Sequence, residues 1–149
     1  MKNKVIRLLV IVVTILIVVD QTTKLLVSNK LVNGSIGNEK FGLEITSNTG
    51  MAFGFNDGSN GKNIVLTIFI LLIIITFIKN QLERIDTKTA LALSFAISGG
   101  ISNLIDRIFR GGVFDFIKFY NITFNLADIF VVLGWILLVV FLIDYSRKN

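Results

Sequence analysis

Asp115 and Asp128 lie thirteen positions apart in a 149-residue chain that has no histidine and no cysteine. Those two absences exclude disulfides, thiol nucleophiles, Cys/His zinc sites and every mechanism that needs a histidine base. Carboxylates, hydroxyls, Lys and Arg remain, and a carboxylate pair is the most capable general acid/base they can assemble. Two carboxyl groups a few ångströms apart do not both ionise easily, so one keeps a proton while the other can activate water. Asp128 stands in "FNLADIFVVLGW", at the mouth of a run that stays apolar until Ile143. An ionised aspartate at the centre of a membrane helix costs about 2.5–3.5 kcal/mol, so one near the edge asks for a cause. A structural cause exists: a first-turn acid favoured by the helix dipole, with Asn125 as N-cap. For Asp115 the corresponding reading is a solvated loop acid, set against its neighbours Phe114, Phe116 and Ile117. Between the two, "FIKFYNITFNLA" alternates enough to double back as a hairpin and bring the carboxylates together.

The elements that must hold this pair are those of a membrane protein. Hydrophobic residues make up 53% of the chain and its mean hydropathy is +0.76. Segments 5–19, 64–78, 90–105 and 129–143 carry most of the apolar mass, each with 15 or 16 residues. A straight span takes about 20 residues, so polar flanks must complete each one. The expected helices run over about 5–27, 62–79, 89–107 and 126–144, with an extracytoplasmic loop at 28–61. The net charge of +5 and the pI of about 9.7 bring no nucleic acid partner, because the basic residues form no run or stripe. Lys2, Lys4 and Arg7 before an apolar run resemble a signal peptide, but "VVDQTTK" offers no small-x-small cleavage site, which predicts an uncleaved first helix.

Four spans put both termini on one side. Segments 1–7, 79–89 and 144–149 on that side hold eight Lys/Arg, against seven over the much longer loops opposite, so the termini are expected in the cytoplasm. Acids sort more sharply. Glu83, Asp86 and Asp144 fall inside, whereas Asp20, Glu39, Glu44, Asp57, Asp106, Asp115 and Asp128 fall outside. Asp20, Asp106, Asp115 and Asp128 sit at or near outer helix ends, where they can converge at one depth.

Other patterns have a packing reading beside a functional one. Gly99, Asn103 and Asp106 recur at i, i+4 and i+7, with Arg107 flanking the stripe. Small residues allow close helix contact, yet packing does not account for Asn, Asp and Arg at a membrane boundary. Asp20 and Lys24 are four apart and read as an i,i+4 ion pair that matters mainly for folding and for bracing the site. Residues 41–55, "FGLEITSNTGMAFGF", combine short alternation with Gly42, Gly50 and Gly54 and predict a small sheet at the membrane surface.

With "DQTTK" at 20–24, "NTGMAFG" at 48–54, "GGISNLIDR" at 99–107, "GGVFDF" at 111–116 and "FNLAD" at 124–128, in that order, the chain resembles a lipoprotein signal peptidase, or signal peptidase II. The resemblance implies one integral membrane domain over 1–149, mainly α, with four transmembrane helices and a small extracytoplasmic β-cradle. It implies an aspartic endopeptidase of the bacterial cytoplasmic membrane that cleaves diacylglyceryl-modified prolipoproteins just before the lipidated cysteine. No metal or cofactor is implied; the expected partners are that substrate and membrane lipid, and a monomer is expected. The family's catalytic pair falls on Asp115 and Asp128, and its supporting or substrate-binding residues on Asp20, Lys24, Asn48, Gly50, Asn103, Asp106, Arg107 and Asn125. Asn48, Asn103 and Arg107 are the expected ligands of the substrate backbone, and Asp115 the expected holder of the shared proton. Ser102 departs from the glycine usual in the family, with helix packing or the position of Asn103 at stake. Two other classes compete: a four-helix exporter, which calls for a mid-helix acid and short loops, and a catalytically silent homologue that binds lipoprotein signal peptides.

The natural absence of cysteine makes topology testable. Ser59→Cys should react with a membrane-impermeant thiol reagent in intact cells and Asn80→Cys should not; equal labelling at both positions would overturn the four-span arrangement.

Overall fold

The computed structural model describes residues 2–31, 35–50 and 59–148. Residues 51–55 of the predicted sheet segment, and most of the second motif with them, lie outside the described residues. In chain order the elements are α1 (Lys2–Lys30), β1 (Ile36–Gly37), β2 (Phe41–Asn48), α2 (Asn60–Gln81), α3 (Thr87–Arg110), β3 (Val113–Phe119), β4 (Ile122–Phe124) and α4 (Leu126–Lys148). All four helices are long and apolar enough to cross a membrane.

These helices outrun the apolar segments that announced them, and α1 shows why. It buries Asp20 and Lys24 while Val18, Val19, Leu25 and Leu26 are exposed. In lipid that arrangement is favourable, because hydrocarbon solvates leucine and valine whereas charged groups need partners within the protein. Polar residues near the ends therefore continue the helix instead of ending it. Among the described residues α3 is the central helix, in contact with α1, α2 and α4. Its buried surface is built from small side chains, including Ala90, Ala92, Ser94, Ala96, Ser98 and Gly99. A Cβ on Gly99 would stand 2.2 Å from the Ala127 carbonyl oxygen, and one on Gly134 of α4 would stand 2.5 Å from the Ala96 nitrogen. Glycine at both positions lets α3 and α4 pack backbone to backbone.

Side-chain caps fix the ends nearest the turns. Asp86 precedes α3 and accepts from the Thr89 N–H at 2.8 Å, while Gly111 closes the helix with φ 76°, a left-handed value that favours glycine. Beyond that stop the chain enters β3. The sheet is antiparallel throughout, in the order β1-β2-β3-β4. Strand β2 pairs with β3 through Thr46↔Asp115 and Asn48↔Val113, with an irregularity between Leu43 and Thr46. Tyr120, with φ 53°, turns the chain tightly so that Phe119 faces Ile122 across the β3–β4 hairpin. The hairpin expected between the two aspartates is present, and it delivers Asn125 and the first turn of α4 back beside Asp115.

Candidate active site

Asp115 sits in the middle of β3 and is 1% exposed. Both of its carboxylate oxygens accept from side-chain amides: Oδ2 from Asn48 Nδ2 at 3.0 Å and Oδ1 from Asn125 Nδ2 at 2.6 Å. Asp128 lies in the first turn of α4 and is half-buried. Its Oδ1 accepts from Asn103 Nδ2 at 2.8 Å and its Oδ2 from the Asn125 N–H at 3.2 Å, while Asn125 Oδ1 accepts from the Asp128 N–H at 3.0 Å. That reciprocal pair is a capping arrangement, so the helix-start reading of Asp128 is correct as far as it goes. The same Asn125 joins the two acids, because its Nδ2 donates to Asp115 Oδ1 and to Asn103 Oδ1 at 3.2 Å. Fully buried, Asn125 has no freedom to turn away.

The two carboxylates have different surroundings. Asp128 lines a cavity of about 630 Å³ bounded by α2, α3, α4 and the sheet, whereas Asp115 stands behind Asn48 and is not part of its wall. The cavity is apolar along Leu66, Ile70, Leu71, Ile74 and Trp135, and polar where Asn48, Asn103, Arg107 and Asp128 meet. Burial pushes the Asp115 carboxyl from its ordinary value of 3.8 up to about 6; the negative charge of Asp128 adds to the rise, and the Asn48 and Asn125 amides and Lys24 oppose it.

The remaining predicted residues divide into two groups. Asp20, Lys24 and Asp106 meet in a fully buried cluster between α1 and α3, with Lys24 Nζ 2.7 Å from Asp20 Oδ2 and 2.6 Å from Asp106 Oδ2. The expected i,i+4 pair exists, but it is one arm of a bridge between helices. Arg107 and Gly50 form the second group. Arg107 donates to the Gly50 carbonyl at 2.6 Å and to the Thr49 carbonyl and Asn60 Oδ1 at 3.5 Å, so its donors are engaged in fixing the chain that leaves β2. The α3 stripe splits likewise: Gly99 and Asn103 meet α4, whereas Asp106 meets α1. Sequence reasoning missed Gln21, Asn60 and Asn63, and it treated Ser102 only as a departure. Gln21 lies within "DQTTK" and Ser102 next to Asn103, but nothing local announces that the two touch; Gln21 Nε2 reaches Ser102 Oγ at 3.0 Å.

Four membrane-crossing helices with a buried polar site under a small sheet define a multi-pass membrane protein. Its fold matches a bacterial membrane enzyme solved by the in meso method at 2.3 Å resolution, with a TM-score of 0.80, 27% identity, and coverage of 95% of this chain and 91% of that one. A lipoprotein signal peptidase of Borrelia hermsii is 38% identical over 162 residues, covering 94% of this chain and 91% of its own. Another from Fusobacterium nucleatum is 34% identical over 142 residues, covering 91% and 86%. The family model described as signal peptidase (SPase) II matches residues 12–144. The chain belongs to the signal peptidase II family, and it is a multi-pass bacterial membrane protein.

The raised Asp115 value carries a sign for stability. Below 3.8 the carboxyl is protonated in both states and its contribution is fully present; between 3.8 and 6 the unfolded chain loses the proton first, so stability falls as pH rises towards the folded value. Asp115→Asn has no such proton to lose. The melting temperature of that variant in detergent should therefore rise relative to the native protein between about pH 4 and pH 7. A difference that stays constant across this range would show that Asp115 titrates normally.

Proposed function

We propose that the chain is an aspartic endopeptidase that removes signal peptides from diacylglyceryl-modified prolipoproteins, cleaving before the lipidated cysteine, with Asp115 and Asp128 as the catalytic residues. The observation that carries this reading is Asn125, which donates to the Asp115 carboxylate through its side chain and to the Asp128 carboxylate through its backbone N–H, beside the polar end of a largely apolar cavity. An apolar signal-peptide segment suits the cavity wall, and its scissile bond then lies at the level of Asp128. The diacylglyceryl chains extend into membrane lipid. The excess of basic residues on the terminal side orients both termini to the cytoplasm and the site to the outer face.

Asp128 faces the cavity and acts as the base; Asp115, buried behind it, holds the proton. Water attacks the scissile carbonyl carbon as Asp128 takes one of its protons and Asp115 gives its own to the carbonyl oxygen. In the tetrahedral intermediate both oxygens are hydroxyls. The proton on Asp128 then passes to the leaving nitrogen, the C–N bond breaks, and one hydroxyl proton returns to Asp115 as the carboxyl group forms. Asn48, Asn103 and Asn125 hold the carboxylates in register through each transfer. Lys24, Asp20 and Asp106 support them from behind, and Arg107 fixes the segment after β2 that carries Gly50.

Asp115→Asn and Asp128→Asn preserve size and much of the hydrogen bonding, so both variants should insert and bind a lipidated prolipoprotein peptide without cleaving it. Because the two acids act on one water, the double variant should be scarcely slower than either single one. Cleavage by either purified Asn variant, with deamidation excluded by mass spectrometry, would rule out the pair.

A further inference from the structure

A buried ion cluster is weak evidence for stability, since apolar residues of similar volume often serve as well. The cluster between α1 and α3 does something apolar residues cannot. Asp20 Oδ2 contacts Lys24, while its Oδ1 accepts from the backbone N–H of Ala127 at 2.9 Å. Asp106 Oδ2 contacts Lys24 and also accepts from the backbone N–H of Phe114 at 3.2 Å. Ala127 and Phe114 are the residues immediately before Asp128 and Asp115. One ammonium thus fixes two carboxylates, and each carboxylate holds the peptide group next to one acid of the pair. Lys24 Nζ also lies 3.4 Å from Asn103 Oδ1, the amide that contacts Asp128.

Two further side chains tighten the cluster. Ser102 Oγ, fully buried, donates to Asp20 Oδ2 at 2.6 Å and accepts from Gln21 Nε2 at 3.0 Å. Gln21 Nε2 also reaches Asp106 Oδ1 at 3.1 Å, so it links Asp106 to the Ser102 hydroxyl that holds Asp20. Arg110 Nε, 3.6 Å from Asp106 Oδ1, supplies a second positive charge. Two cations thus balance two anions, and the cluster has no excess charge to expel.

We propose that Asp20 and Asp106, fixed by Lys24, Ser102 and Gln21, are positioning residues that set the separation of Asp115 and Asp128 through the N–H groups of Phe114 and Ala127. The proposal rests on the reading of Asp115 and Asp128 as the catalytic pair. It assigns Ser102 a role in rate, beyond helix packing. Without these anchors the first turn of α4 and the centre of β3 shift independently, and the water and the shared proton no longer meet the carbonyl together.

Steady-state cleavage of a diacylglyceryl-modified prolipoprotein peptide by purified variants in detergent, scored per folded molecule, tests this. Asp20→Ala and Asp106→Ala should each lower kcat about a hundredfold with KM within about twofold, the scale of an ångström's misplacement of reacting groups. Asp20→Asn and Asp106→Asn keep an oxygen for the backbone N–H and should recover about tenfold of that loss, a rescue a purely structural role would not give. Ser102→Ala, which removes one hydroxyl and fills the same space, keeps the question open if the alanine variants of the acids fail to fold; its kcat should fall about threefold at unchanged KM. Unchanged kcat in Ser102→Ala, or Asn variants no faster than the Ala variants, would overturn the positioning role. Measured alongside, Asp115→Asn and Asp128→Asn separate the two failures. If both are inactive while the variants of Asp20, Asp106 and Ser102 keep full kcat, the positioning role alone falls; if either cleaves, the catalytic pair falls with it.

Discussion

The Lys24 ammonium, shared by Asp20 and Asp106 and closed off from solvent, is the contact on which the arrangement of helices depends. A lone charge at this depth in a bilayer is too expensive to leave unpaired, so the first helix must turn its charged face towards the third. Once it does, Val18, Leu25 and Leu26 point to lipid and the register of α1 against α3 is set. The glycines of α3 and α4 then bring those two helices together on the other side, where Gly99 admits the Ala127 carbonyl. Exposed leucine and buried lysine, a poor pattern in water, are what a bilayer requires.

From that frame the sheet and the site follow. Gly111 ends α3 and releases β3 beside the buried cluster, and Tyr120 returns the chain to the start of α4. Asp115 therefore arrives on a strand and Asp128 on a helix, from elements that meet only because the hairpin is short. Their surroundings differ accordingly: one carboxyl is packed behind Asn48, the other opens on the cavity. In the proposed mechanism that difference assigns the proton and the base. Asn125 serves both, capping the helix with its oxygen and reaching Asp115 with its nitrogen.

Much of this was legible in the sequence because its signals are local. Apolar runs gave the number of spans, alternation gave the hairpin, and the absence of histidine and cysteine narrowed the chemistry to carboxylates. What escaped was non-local. The i,i+4 spacing of Asp20 and Lys24 accounts for one partner within a helix, and no periodicity shows that Asp106, far along the chain, supplies the second. Helix ends run a few residues past those expected, 2–30 against 5–27 for α1, because exposed polar residues such as Lys2, Lys4 and Lys30 continue a helix into water and carry no stop signal. The alternation in β2 announced a strand but not that β3 would pair with it across two intervening helices. The anchoring of Arg107 to the Thr49 and Gly50 carbonyls left no trace either, because those acceptors are backbone groups that any residue carries.

The carboxyls of Asp115 and Asp128 are held close enough for the charge of Asp128 to raise the titration of Asp115. Infrared difference spectroscopy of the protein in nanodiscs, following the carboxylic C=O stretch that disappears in Asp115→Asn, measures this directly. The Asp115 band should titrate with a midpoint of about 6, and Asp128→Asn, which removes the neighbouring negative charge, should move that midpoint towards 3.8. An unchanged midpoint in Asp128→Asn would mean that the two acids are electrostatically independent, and it would contradict a shared proton.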